Sequence, residues 1–374
     1  MSNQRLGVGI IGTGNISSAY LKAILGRDGL PGFDVLDIRA IADMRPEAAA
    51  ARAAEFGLRS VTVEELLADP EIKLVLNLTI PRAHVEVGLR CLAAGKHVYS
   101  EKPLGINFAE GKRLLDAATA AGLRIGSAPD TFLGGSHQQA RAVVDSGALG
   151  QIVGGTAFFQ CPGHESWHPD PAFYYDIGGG PVLDMGPYYI TDLVNLLGPV
   201  ARVSAMASRL RTERPVTSEP KRGEIMPVKV DTHVTGSLGF ANGAIVQVGL
   251  SFDVAGHKHV PLEIYGTEAS LIVPDPNFFG GAVELRKRGR EETWNPIEVT
   301  QPYADGNYRS LGLADMAKAI LEDRPHRANG DLALHVLEVM EAFATASAEG
   351  RTVDINTPVE RPAPLASVLA DGRL

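Results

Sequence analysis

The apolar run Leu6–Ile11 and the glycines that follow it constrain this chain more than any other segment. The run breaks at Gly12-Thr13-Gly14, and Asn15–Leu25 follows with Ile16, Tyr20, Ala23 and Ile24 at helical spacing. A short strand that turns on glycines directly into a helix opens a βαβ unit. The alternation continues, with strands predicted at 35–42, 74–79, 97–99 and 124–128 and helices at 46–56, 83–94 and 108–121. Pro46 suits a first helical turn, Gly95 and Gly122 suit helix ends, and Asn107 with Glu110 resembles a capping box. Alternation at this spacing predicts an α/β domain over residues 1–128 with a doubly wound parallel sheet.

After residue 128 the texture changes. Strands are predicted at 152–160, 201–209, 232–240, 244–252, 260–265 and 269–273, with turn signals such as Ala241-Asn242-Gly243 between some of them. Helices are fewer, at 136–145, 181–197, 310–321 and 331–348. Residues 129–374 therefore read as a mostly antiparallel α+β domain. Residues 211–229, rich in Arg, Glu, Pro and Lys, read as a long exposed loop, and the tail from 358 as irregular.

Composition narrows the class of function. With 45% hydrophobic and 21% charged residues the chain is globular. Lys+Arg 35 against Asp+Glu 44 gives a net charge of −9, which provides no electrostatic footprint for nucleic acid. Cys91 and Cys161 make no disulfide framework and fit a reducing compartment. Apolar runs are strand-sized, so no membrane span or targeting segment is expected, and the sequence reads as cytoplasmic.

Several residue groups carry chemistry. Gly12 and Gly14 permit a tight turn and close approach to a pyrophosphate, and Asn15 and Ile16 begin a helix whose free N–H groups attract anions. Ser17 stands where a third glycine is usual. Asp43 ends the second strand, where a carboxylate takes the 2′-hydroxyl of an adenosine ribose and repels a 2′-phosphate. NAD is thus the expected cofactor. NADP is the alternative, because Arg45 can pair with a phosphate; Met44 lies between the two on the same edge. Asp43 comes 29 residues after Gly14, and the loop at 27–34 accounts for the extra length.

Glu101-Lys102-Pro103 follows a strand at the carboxyl end of the predicted sheet, where ligands of open α/β sheets bind. Lys102 is a candidate proton-transfer group there; partial burial and a neighbouring nicotinamide cation favour its neutral form. Asp130 and Thr131, after the last strand of the first domain, are candidate substrate contacts. Gly178-Gly179-Gly180 precedes Asp184, Tyr188 and Asp192, which share one helix face at i, i+4 and i+8. Plainer readings stay open on the residues alone: a glycine turn without ligand, a cap at Asp43, a surface lysine at 102, a core tyrosine at 188.

His164-Glu165-Ser166-Trp167-His168 matches the H-E-x-x-H pattern of zinc proteases, which needs both histidines on one helix face. Pro162, Gly163, Pro169 and Pro171 surround it and argue against that helix. The alternative is a loop presenting Trp167, His164 and His168 to a sugar ring, or one that merely packs. His257 and His259 lack further ligands nearby and read as solvated or interface residues, so no metal set is assigned.

Together these motifs resemble the Gfo/Idh/MocA oxidoreductase family. The resemblance rests on Gly12-Thr13-Gly14-Asn15-Ile16, on Glu101-Lys102-Pro103-Leu104, and on Gly178-Gly179-Gly180 through Asp184, Tyr188 and Asp192. It also rests on Leu78-Thr79-Ile80-Pro81 through His84, where Ile80 and Pro81 stand in place of the usual Pro and Asn. It spans nearly the whole chain. It implies an N-terminal NAD(P)-binding Rossmann domain and a C-terminal domain with a large open sheet whose exposed face makes homodimer or homotetramer contacts. It implies cofactor contacts from Leu78, Thr79, Ile80, His84, Glu101 and Lys102. It makes Lys102 catalytic, joined by Asp184 and Tyr188, all three at the substrate; many members carry His at the last position, and some branches carry Tyr. The implied activity is an NAD(P)-dependent oxidoreductase acting on a CH–OH group of a sugar, polyol or sugar derivative. A redox-assisted NAD-dependent glycosidase and a non-catalytic NAD-binding sensor are the alternatives, and retention of Lys102, Asp184 and Tyr188 favours the dehydrogenase.

Overall fold

The computed structural model describes residues 4–25, 32–290 and 293–365. Residues 27–31 of the inserted loop and 366–374 of the tail, both covered by the sequence reading, lie outside the described residues. The chain divides into two units. One runs to Gly134 and takes in Gln301–Leu334 and the segment from Pro362; the other comprises Gly135–Thr300 and His335–Arg361.

In the first unit β1 (Leu6–Ile11) is buried along its whole length, as a continuous apolar run must be at the centre of a parallel sheet. Next come α1 (Asn15–Leu25), β2 (Leu36–Ala42) and α2 (Pro46–Phe56), with proline in its first turn and Gly57 closing it at φ +67°. The helix α3 (Val63–Ala68), absent from the sequence reading, starts on a reciprocal cap between Thr62 and Glu65. Then follow β3 (Leu74–Asn77), α4 (His84–Ala93), β4 (His97–Ser100), α5 (Phe108–Ala121) and β5 (Ile125–Ser127). Among the described residues the sheet order is β2-β1-β3-β4-β5, with every pair parallel. The chain leaves β1 to one side and returns on the other at β3, so the strand order reverses between them. That reversal opens a crevice at the carboxyl ends of β1 and β3.

The second unit opens with α6 (Gly135–Asp145), β6 (Ile152–Gln160), α7 (Gly180–Leu197) and β7 (Val200–Ser208). It continues with β8 (Glu213–Pro215), β9 (Ile225–Pro227), β10 (His233–Phe240), β11 (Ile245–Ser251), β12 (Leu262–Gly266), β13 (Ala269–Val273), β14 (Glu284–Lys287) and β15 (Asn295–Pro296). After α8 (Leu311–Glu322) and α9 (Gly330–Glu349), β16 (Val353–Asp354) adds an edge. The large sheet has the order β15-β14-β13-β12-β6-β11-β10-β7-β16 and is antiparallel except between β6 and β11. Alternation along β10 and β11 sends Val234, Leu238, Val246 and Leu250 to the covered face and Thr235 and Gln247 to the open one. Glycines let the helices close on the covered face. A Cβ at Gly236 would lie 2.9 Å from the Phe343 ring of α9, and one at Gly186 of α7 would lie 3.2 Å from Met340 Sδ. On the open face Met206 is 80% exposed.

Two expectations change. Residues 211–229 are exposed at most positions but are not a plain loop: β8 and β9 pair, and Val216, Met226 and Val228 pack with Tyr175 and Phe252. A charged composition misled at Arg214, which is only 1% exposed and whose two terminal nitrogens donate to internal acceptors. Residues 301–334, placed in the second domain from sequence, belong to the first unit. There α8 lies over β5, where a Cβ at Gly126 would meet Met316 Sδ at 2.8 Å. Among the described residues no helix is long and apolar enough to cross a membrane.

Candidate active site

The crevice of the first unit is built by three loops. Gly12 has φ +106°, and a Cβ there would lie 2.5 Å from the Leu78 carbonyl carbon and oxygen, so only glycine lets the loop after β1 pass the loop after β3. Gly14 has no atom within 4 Å of a built Cβ, which leaves open space over the start of α1. Ser17 occupies the third-glycine position because its side chain is fully buried and its hydroxyl donates to Gly14 O at 2.7 Å. Asn15 and Ile16 form the first turn of α1. At the end of β2, Asp43 Oδ2 accepts the Thr13 amide and hydroxyl, each at 2.8 Å, and Oδ1 accepts the Arg45 amide at 3.0 Å. Burial opposes ionisation of Asp43, but these hydrogen bonds and the Arg45 charge outweigh it and hold the carboxyl below its ordinary value. The carboxylate is therefore ionised and locked to the glycine loop. Beside it Met44 is 91% exposed, and across the crevice Ile80 is 68% exposed. Two bare apolar side chains flanking a fixed carboxylate and an open helix start fit a dinucleotide: flat rings against the former, ribose and pyrophosphate on the latter.

The turn after β4 is fixed from below. Glu101 is buried; it accepts the Tyr20 hydroxyl from α1 at 2.6 Å and the Lys102 amide at 2.9 Å. Lys102 is half-buried at the sheet's carboxyl edge. Sequence reasoning missed Tyr20, whose helical spacing marked it only as apolar core. His84 corrects another expectation. It is fully buried, with Nδ1 2.7 Å from Pro103 O and Nε2 2.9 Å from Thr79 O. Both ring nitrogens are used, so His84 ties the loop after β3 to the Lys102 turn rather than meeting a ligand itself. Burial pushes its pKa down against the pull of the two carbonyls. Asn77 Oδ1 accepts the Thr79 hydroxyl at 2.7 Å, which fixes the same loop, and Leu78 is buried beneath it.

Asp130 and Thr131 also depart from expectation. Both are 1% exposed, and Asp130 Oδ2 accepts the amides of Ser310 at 2.9 Å and Gly312 at 3.0 Å. The carboxylate caps α8 and holds Ser310 at φ +100°, a backbone state that a non-glycine residue adopts only when its surroundings impose it. Burial pushes the Asp130 carboxyl up to about 6, against the Gly312 and Ser310 amides and the Arg309 charge. An unfolded aspartate titrates near ~3.9. Between these values the folded chain holds the extra proton, so this group's contribution to stability falls as pH rises from about 4 to about 6 and is flat above. In urea unfolding, wild type minus Asp130→Asn should show that slope; a difference constant with pH would contradict it.

In the second unit α7 carries Asp184, Tyr188 and Asp192. The first lies near solvent, Tyr188 is buried, and Asp192 is fully buried. Asp192 faces inward because His137 of α6 meets it, Nδ1 to Oδ2 at 2.8 Å, with His137 Nε2 2.9 Å from Phe278 O. No local spacing signals that pair. Residues 164–168 form a turn, not a helix, so the H-E-x-x-H match has no zinc-binding geometry. His164 Nε2 lies 3.3 Å from Asp184 Oδ2, and the Trp167 indole N–H donates to His164 Nδ1 at 3.3 Å. His168 Nδ1 accepts the Asp170 amide at 3.0 Å. Glu165 instead joins Arg214, Nη1 to Oε1 at 2.5 Å. Arg214 also pairs with Asp253 and donates to Pro162 O at 3.0 Å and Phe252 O at 2.8 Å, while Tyr175 donates to Glu165. The Thr217 and Ser218 amides close on Glu165 O at 2.8 and 2.9 Å. The segment 211–229 thus clasps the Trp167 loop. Around Asp184 this arrangement offers a carboxylate, an imidazole and an exposed indole face; His259 lies elsewhere, stacked on Phe158 with centroids 4.1 Å apart.

Comparison with known proteins adds independent findings. The family model described as oxidoreductase family, NAD-binding Rossmann fold, matches residues 6–128, and the GFO/IDH/MocA C-terminal domain matches residues 137–272. Among curated proteins, levoglucosan dehydrogenase of Pseudarthrobacter phenanthrenivorans is 29% identical over 72% of this chain and 73% of its own length. The 1,5-anhydro-D-fructose reductase of Ensifer adhaerens is 27% identical over 93% of this chain and 98% of its own. Among solved structures, a levoglucosan dehydrogenase in complex with NADH and L-sorbose superimposes with a TM-score of 0.82 at 24% identity, covering 95% of this chain and all of the other, a likeness of fold.

Proposed function

The chain belongs to the Gfo/Idh/MocA oxidoreductases and carries that family's NAD-binding Rossmann domain, and from this premise we propose that it is a dehydrogenase of a neutral sugar or polyol hydroxyl. The observation that carries the reading is the crevice at β1 and β3, with its fixed carboxylate, open glycine loop and exposed Met44 and Ile80. Gly12, Gly14, Asn15 and Ile16 would hold the pyrophosphate, Asp43 the ribose, and Leu78, Thr79 and Ile80 the loop edge beside the nicotinamide. Bound NAD supplies a hydride acceptor at nicotinamide C4. Lys102 takes the proton from the substrate hydroxyl. Asp184 orients the sugar, and the Tyr188 phenol donates to or accepts from the reacting oxygen. Trp167 offers an indole face suited to the C–H face of a pyranose. Arg214, Lys221 and Lys229 of the clasp each already lie within 3.1 Å of a carboxylate, which favours an uncharged substrate. The relatives' names make anhydro sugars a sensible first probe, and the open sheet face is the surface on which we place homo-oligomer contacts.

The reading is tested by NADH formation on a panel of anhydro sugars, aldoses, inositols and sugar acids, with NAD and NADP in parallel. Turnover of a neutral member with NAD is expected; turnover confined to sugar acids would overturn the substrate class. Asp43→Asn removes the charge and keeps an acceptor for Thr13, at the cost of the bond from the Arg45 amide. It should lower the NAD-over-NADP preference in kcat/KM by about tenfold, ~1.4 kcal/mol. An unchanged ratio would remove Asp43 as the selector.

A further inference from the structure

His164 is 7% exposed, with both ring nitrogens engaged by groups of opposite character. The Trp167 indole has only an N–H to give, so Nδ1 must accept and carry no proton. The remaining ring proton then sits on Nε2, the nitrogen that faces Asp184. We infer that Trp167 and His164 are positioning residues for Asp184: the indole N–H selects the Nε2–H tautomer of His164, and that N–H fixes the carboxylate. The inference rests on Asp184 being a substrate-side group, as proposed above.

The surroundings leave His164 little freedom. Its ring meets Tyr174 at 4.2 Å and Phe252 at 4.5 Å between centroids, and its amide donates to the Tyr175 hydroxyl at 3.1 Å. Tyr175 and Glu165 belong to the Arg214 network, which anchors the start of the turn carrying the imidazole, and the Ser218 hydroxyl donates to His168 O at its other end. His168 packs against Tyr174 at 5.3 Å, and its Nδ1 is turned to Asp170. Among the described residues the imidazole's hydrogen-bond partners are thus one carboxylate and one indole N–H, with aromatic walls and the His168 ring around it. Trp167 is 59% exposed although its N–H is spent inward. One side chain thus presents an apolar face for a neutral carbohydrate ring and sets, through His164, the carboxylate that would read that ring's hydroxyls. The inference makes the indole N–H matter separately from the indole face.

The test has a ligand-free arm and a kinetic arm. The full chain, labelled with 15N-histidine and 15N-indole, is observed at pH 8, with His164 and Trp167 assigned through His164→Phe and Trp167→Phe. His164 should carry its proton on Nε2 alone, and the Trp167 indole N–H should exchange with deuterium at least tenfold faster in His164→Phe than in wild type. A proton on Nδ1, or unchanged exchange, overturns the inference without touching the dehydrogenase reading. On the sugar that wild type oxidises, Trp167→Phe keeps a ring but loses the N–H. It should lower kcat about tenfold with KM within twofold, and His164→Gln, which restores a donor near the Nε2 position, should retain more kcat than His164→Phe. If Trp167→Phe matches wild type while Trp167→Ala raises KM, Trp167 serves only as a stacking face and the positioning role is wrong. Absence of turnover in wild type would count against the dehydrogenase reading, and the ligand-free arm would still decide the tautomer.

Discussion

Lys102→Ala should lower kcat by roughly 10²–10⁴-fold, the usual contribution of a positioned proton-transfer group, and weaken cofactor binding far less than that. The split follows from how the turn is held. The Lys102 amide donates to Glu101 Oε2 at 2.9 Å, and Tyr20 donates to Glu101 Oε1 at 2.6 Å. Backbone and carboxylate thus fix the turn, and truncation at residue 102 removes the side chain beyond Cβ, ammonium included, without touching those bonds. His84 secures the following residue through Pro103 O at 2.7 Å. Lys102→Arg is the sharper variant, because a guanidinium keeps the charge and cannot give up its proton in the working range. It should be nearly as slow as Lys102→Ala. NAD titration, thermal unfolding and turnover on the same preparations check the set; full turnover in Lys102→Ala with unchanged fold would remove Lys102 from the chemistry.

Arg214→Leu should lower the unfolding free energy by about 3–5 kcal/mol, because it leaves two carboxylates of a buried network without their shared cation. Arg214 is 1% exposed, and the Glu165 and Asp253 side chains are each 13% exposed. The same guanidinium serves the carbonyls of Pro162 and Phe252, so its loss also strands backbone acceptors. Arg214→Lys should recover only part of the stability, since one ammonium cannot span two carboxylates and two carbonyls. Protease should cut Arg214→Leu within 211–229 sooner than wild type, as the clasp on the Trp167 loop opens. Denaturant unfolding and timed proteolysis read the two effects. Wild-type stability in Arg214→Leu would mean that the network is dispensable.

Much of the first unit was legible because its signals are local. The run Leu6–Ile11, the glycines at 12 and 14, and the helix at Asn15–Leu25 fall where periodicity and turn chemistry put them. Gly122, the last-turn mark of α5, also fell where the sequence put it. What failed was long-range. Asp130 looked like a residue at a sheet edge, but the amides that claim it lie 180 and 182 positions further on, at Ser310 and Gly312. His84 sits five residues from Thr79 and nineteen from Pro103, and only the fold brings both carbonyls to its ring. In the segment 211–229 most charges are solvated as the sequence suggests, and the exception is Arg214, whose partners Glu165 and Asp253 lie far off in the sequence. Glu165, which the zinc pattern would make a base, is the partner of Arg214. The Trp167–His164–Asp184 chain lay half in view: the residues were singled out as sugar contacts, but a hydrogen bond between a turn and a helix face leaves no mark in spacing.

The central claim is a net oxidation of a sugar hydroxyl, and stoichiometry tests it most directly. The purified chain is given NAD and the neutral sugars of the panel, and NADH and sugar product are counted together. The account predicts one NADH per sugar converted, with a carbonyl in place of one hydroxyl and no glycosidic bond broken. Hydrolysed glycoside without net NADH, or tight NAD binding with no sugar converted, would contradict it, the first in favour of redox-assisted hydrolysis and the second in favour of a sensor.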